Sequence, residues 1–132
     1  MQRLTLLAIL LLVLAGCGAS NDSAADFEGA EQDVARAVED LEEAAQEDEP
    51  RRICDALLAR AVRTRLGGDC IERIQRALDQ TDTFALTVES VRVTGTTARA
   101  RVETGVDEEQ IEVVELVREG DAWKIARLPG AA

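Results

Sequence analysis

Phe84-Ala85-Leu86-Thr87-Val88-Glu89-Ser90-Val91-Arg92-Val93 is the stretch at which the apolar spacing of this 132-residue chain changes from helical to strand-like. Before it, apolar residues recur every three or four positions; within it they alternate, as they do along a half-buried strand. Phe84, Leu86 and Val88 share one face. Val91 and Val93 are out of phase with them, which predicts a bulge or bend near Glu89-Ser90. Toward the C-terminus, Thr94-Gly95-Thr96 reads as a turn. Ala98, Ala100 and Val102 then alternate with Arg99, Arg101 and Glu103, a strand with one wet face. Gly105 to Glu109 reads as a loop whose acids Asp107, Glu108 and Glu109 are solvated. Ile111 to Arg118 is a third strand, Glu119-Gly120-Asp121 a turn, and Ala122 to Leu128 the last strand. Arg92, Arg99 and Arg101, facing outward beside Glu112 and Glu115, match cross-strand charge pairing.

Toward the N-terminus the pattern is helical. Thr81-Asp82-Thr83 ends a helix that starts at Asp69, with Glu72 completing a capping box, and buries Ile71, Ile74 and Leu78. Gly67-Gly68 stops the segment before it. Pro50 opens that segment, because proline suits the first helical position. Ile53, Cys54, Leu57, Leu58 and Ala61 form its apolar face. Phe27, Val34, Val38, Leu41 and Ala45 mark one face of the first helix, with Asp26 as its N-cap. Glu28 to Glu49 holds ten acids and one Arg, while Arg51 to Arg65 holds five Arg and one Asp, so the two are electrostatically matched neighbours. Exposed pairs of that kind contribute only about 0–1 kcal/mol each. The acids lack the spacing and turn glycine of a calcium loop. Helices followed by a run of strands give an α+β fold, helices packed on one face of a four-stranded antiparallel sheet.

The chain starts with one cation, Arg3, then a leucine-rich run, then Leu14-Ala15-Gly16-Cys17. This is the order of a secretory signal. The four residues resemble a bacterial lipobox, which implies cleavage before Cys17 and a lipid on its sulfur. The apolar run from Leu4 to Ala15 is 12 residues, short of the roughly 20 that span a bilayer. An unlipidated signal, cut after Ala15 or Gly16, is the rival reading. Residues 1–16 are then the signal peptide, residues 17–26 the lipidated Cys17 and a small polar tether, and residues 27–132 one domain. The expected location is extracytoplasmic, on the outer face of a bacterial cell membrane, held by acyl chains that bury about 0.8 kcal/mol per CH₂.

A net charge of −11, one unit more negative without Arg3, argues against nucleic acid and against adhesion of the protein surface to anionic lipid. Of three cysteines, Cys17 is assigned to lipid, so Cys54 and Cys70 are an even pair in an oxidising compartment, where a disulfide is expected. No metal site is expected, since the chain has no histidine. The disulfide constrains its helix. Unbroken from Arg51 to Leu66, it would put Cys54 about 18 Å from Leu66. Four extended steps to Cys70 recover at most about 14 Å, and a disulfide needs Cα atoms about 5.5–6 Å apart. A bend near Leu58 to Ala61 follows, with Ala59 to Leu66 as a second short helix.

Cys54 followed by Leu57-Leu58, Cys70 after Gly67-Gly68-Asp69, and Trp123-Lys124-Ile125 near the end resemble NTF2-like (cystatin-like α+β) domains, over about residues 27–128. Small bacterial lipoproteins carry such domains behind a lipobox and a tether. The resemblance implies a cone between sheet and helices, where enzymes of the family place Asp, His, Tyr or Arg. No catalytic residue carries over, because the chain lacks His and Tyr. With both domain cysteines in a disulfide, a nucleophile is missing too. A non-catalytic role without a cofactor is expected. Ala98 and Ala100 leave room opposite Trp123. A void lined by Leu57, Val88, Ala100 and Trp123 would make the protein a carrier of a small apolar ligand. A filled cone would make it an interaction or structural module for an envelope protein partner.

Overall fold

The computed structural model describes residues 23–105 and 110–129, so the expected signal peptide, Cys17 and most of the tether lie outside the described residues. Four helices, α1 (Gly29–Gln46), α2 (Pro50–Arg52), α3 (Arg60–Leu66) and α4 (Cys70–Asp79), precede four strands. These are β1 (Leu86–Thr94), β2 (Thr97–Thr104), β3 (Gln110–Glu119) and β4 (Ala122–Arg127). The strands form an antiparallel meander in the order β1-β2-β3-β4. The α+β architecture read from the change of period is present.

α1 forms because Val34, Ala35, Val38, Leu41, Ala44 and Ala45 fall on one stripe, and all six are buried. Its start differs from expectation. Asp26 belongs to a 3-10 turn, Ser23–Asp26, and Glu28 occupies the N-cap position without a side-chain cap. The turn is held from the side: Glu39 accepts from the Ser23 hydroxyl at 3.2 Å and from the Ala24 N–H at 2.7 Å. Ser23 and Ala24 are buried, so packed structure begins inside the stretch read as tether.

Pro50 sits in the first turn of α2, as its fixed φ favours. α2 runs into one π-helical turn, Ile53–Leu57, after which Leu58 and Ala59 are extended, with ψ of 142° and 149°. This is the bend that the cysteine spacing demands, and the Cys54–Cys70 disulfide closes with Cα atoms 6.2 Å apart. The bend also changes which leucine enters the core. Leu58 forms a parallel bridge to Ile125 and is buried, whereas Leu57 is half-buried and Ala61 exposed. α3 ends at Leu66 because Gly67 takes φ +64°, a conformation that costs a residue with a Cβ. Asp69 stands at the N-cap of α4 but makes no cap hydrogen bond, so the capping box is not formed.

The bulge in β1 falls between Val88 and Ser90. It returns Val91 and Val93 to the face of Leu86 and Val88, opposite Ala100 and Ala98. Leu86, Val88, Ala98, Ala100, Val102, Val114, Leu116, Trp123 and Ile125 are the buried sheet residues, and α1 packs against β1, β2 and β4. On the other face Arg99 pairs with Glu115 at 3.8 Å. Glu112 is not among the outward charges: it is in register with Val102, on the core face and half-buried, while Val113 stands opposite Arg101.

Both sheet edges are partly capped. Along β1, the Leu86 N–H donates to the Glu42 carboxylate and the Val88 N–H to Ser23 Oγ. Along β4, the Ala59 N–H donates to the Ile125 carbonyl at 2.8 Å and Lys124 Nζ to the Ala56 carbonyl. Such caps remove the unpaired edge that invites strand addition. Glu42 carries a cost in this position. Burial raises its pKa above 4.5, opposed by hydrogen bonds from Leu86 and Gln46 and reinforced by Glu39. A carboxyl whose folded-state pKa is raised binds its proton more tightly when folded. Stability from this group is therefore greatest below about 4.5 and falls as pH rises through the folded value. Glu42→Gln keeps an acceptor for Leu86 and is expected to flatten the stability–pH profile just above pH 4.5. Urea midpoints for both proteins across pH 4–6 check this; parallel profiles would contradict it.

Candidate functional site

The four residues expected to line a cone are placed differently from one another. Val88, Ala100 and Trp123 are buried core residues on three different strands, Ala100 completely and Trp123 with 8% of its surface exposed. Leu57 is at the end of the π-helical turn, half-buried. Leu41, Ile53, Leu58, Leu116 and Ile125 are fully buried with them in one core cluster. Among the described residues, none of the four lines the main groove of the domain.

This groove has a volume of about 760 Å³ and is bounded by α3, α4 and β4. Three local features build it. The bend at Leu58-Ala59 throws α3 away from α2, and Glu119 of the β3–β4 turn accepts from the Arg60 N–H at 2.9 Å, a carboxylate at a helix N-terminus. The disulfide fixes the start of α4. A second bulge, between Glu115 and Leu116 on the β3–β4 ladder, leaves Ala126 unpaired where β4 passes the groove. Val62, Leu66, Ile74 and Ile125 give it an apolar floor, and Arg65, Arg73, Arg76 and Arg127 rim it, with Glu115 as the single acid.

In a chain of net charge −11, four arginines around one groove oppose the general trend. Arg65, Arg73 and Arg76 are exposed, and among the described residues they have neither a hydrogen-bond partner nor an ion pair. Arg52 provides the contrast. It donates to Glu43 at 2.8 Å and to Glu49 at 3.1 Å, and Asp40 and Glu47 lie within 4 Å. Those hydrogen bonds hold its guanidinium protonated far beyond the ordinary range and join α1 to α2. Arg52 is thus structural, whereas Arg65, Arg73 and Arg76 are free to meet a ligand.

A smaller cavity of about 140 Å³ adjoins the groove. It lies among Leu41, Ile53, Leu78 and Phe84, carries no charged residue, and shares Ile74, Ala77 and Leu128 with the groove as common wall. Sequence reading missed this pair of sites because the contributing residues look like ordinary helix surface. The excess of Arg over acids between residues 51 and 76 was its one legible sign. Among the described residues no three His, Cys, Asp or Glu are grouped to hold a metal ion, and no helix is long and apolar enough to cross a membrane. No protein-family model, curated protein or solved structure matches the chain.

Proposed function

We propose that the chain is a membrane-tethered, non-catalytic interaction module. In this reading an NTF2-like domain is held at the outer face of a bacterial membrane by acyl chains on Cys17. The observation that carries the module reading is the packing between helices and sheet. Val88, Ala100 and Trp123, the positions at which a reaction chamber or carrier cavity would open, are core residues. Surface features are left to do the work: the acidic helix α1, the charged outer sheet face and the arginine-rimmed groove, presented to an envelope component. The tether reading rests on Leu14-Ala15-Gly16-Cys17 and accords with a disulfide, a bond of oxidising compartments. Acyl chains supply membrane affinity that the protein surface, with its net negative charge, does not.

Fractionation of a bacterium expressing the gene tests the tether. Wild-type protein is expected in the membrane fraction, and Cys17→Ala either as uncleaved precursor or as soluble protein. Cleaved Cys17→Ala protein that stays with the membrane would contradict the proposal.

A further inference from the structure

We infer that the groove between α3, α4 and β4 binds a single-chain anionic amphiphile, a long-chain fatty-acid anion, through its arginine rim and the charge-free cavity beside it. This rests on the reading of a non-catalytic interaction module and goes beyond it, giving the arginine-rimmed groove a small-molecule ligand. The geometry divides the site into two chemically distinct compartments that meet at Ile74, Ala77 and Leu128. The groove offers Arg65, Arg73 and Arg76 without protein partners, and a guanidinium donates charge-assisted hydrogen bonds to a carboxylate. Glu115 on the same rim is engaged by Arg99, so the rim is cationic in balance. The smaller cavity has only aliphatic, aromatic, proline and Thr81 walls, which suit an alkyl chain and leave a charged group unsatisfied. A headgroup joined to one chain matches this order of compartments. An acidic peptide would use the rim but has no use for the charge-free cavity. The groove, about 760 Å³, is in the range that holds one small ligand, with the adjoining 140 Å³ beside it.

The test uses the full chain carrying Cys17→Ser, a change outside the described residues, purified without detergent and titrated with dodecanoate labelled with carbon-13 at its carboxyl. Saturable binding is expected, with the carboxyl titrating at a lower pH when bound, the effect of nearby guanidinium groups. Arg73→Gln with Arg76→Gln, both at exposed positions, should weaken dodecanoate binding about tenfold or more and leave dodecanol binding unchanged. Ala77→Trp, at an exposed position on the wall that the two compartments share, should crowd both and abolish the preference for dodecanoate over hexanoate. The inference is overturned if dodecanoate does not saturate, or if dodecyltrimethylammonium binds as well. It is equally overturned if the arginine variants bind dodecanoate normally, or if an acidic leucine–glutamate peptide occupies the rim and dodecanoate does not. Acylation of Cys17 in wild-type protein is read separately, so the groove can fail while the tether stands.

Discussion

Trp123→Ala is expected to lower the free energy of unfolding by about 3–5 kcal/mol. Trp123 is buried on the core face of β4, in register with Arg118 and two residues from the fully buried Ile125. Its strand cannot shift to fill the space left by the ring. β4 is hydrogen-bonded to β3 on one side, and on the other the Ala59 N–H and Lys124 Nζ tie it to the bend after the π-helical turn. The cavity would therefore persist, and a persistent cavity is what takes such substitutions to the upper end of their range. Urea unfolding followed by circular dichroism measures the loss. Trp123→Phe should recover most of it, and wild-type emission should be blue-shifted and weakly quenched by acrylamide. A loss under about 1 kcal/mol would mean that the indole is not part of the core.

Replacing the disulfide, Cys54→Ala with Cys70→Ala, is expected to cost about 3 kcal/mol, the chain-entropy value for a loop of this length. The loop it closes, with a sequence separation of 16, contains the bend, the whole of α3 and the turn into α4. α3 contributes one buried residue, Val62, and is too short to be stable by itself. Loss of the bond should therefore loosen α3 and the groove before the sheet. Hydrogen exchange is expected to accelerate first at Val62 to Leu66 and last in β2 and β3. A variant with unchanged urea midpoint, and unchanged exchange in α3, would show that packing alone sets this geometry.

The parts of the fold legible in the sequence were those where one residue pattern has one physical solution. Strict alternation after Phe84 dictates strands, and the phase slip between Val88 and Val91 admits only a bulge if both halves are to face the core. Cys54 and Cys70 cannot meet across a straight helix, so their spacing alone forces a bend. Local competition defeated the rest. Asp26 is an able N-cap by type, yet Glu39, thirteen residues on, captures the Ser23 turn and moves the start of α1 to Gly29. Leu57 and Leu58 are equivalent by helical periodicity until the π-helical turn rotates Leu58 onto Ile125. Charge alone suggests an outward Glu112, although strand parity puts it with Val114. The groove was illegible for a different reason. It is made by three elements whose separation depends on the bend and on a β4 bulge that no sequence pattern marks.

Intact-mass spectrometry of wild-type protein taken from the membrane fraction is the most direct test of the proposed tether. The account predicts a chain that begins at Cys17 and exceeds its peptide mass by a diacylglyceryl group, with or without a further acyl chain, and that carries the Cys54–Cys70 bond. A membrane-bound chain that starts at Cys17 with a free thiol, or one that retains residues 1–16, would contradict it.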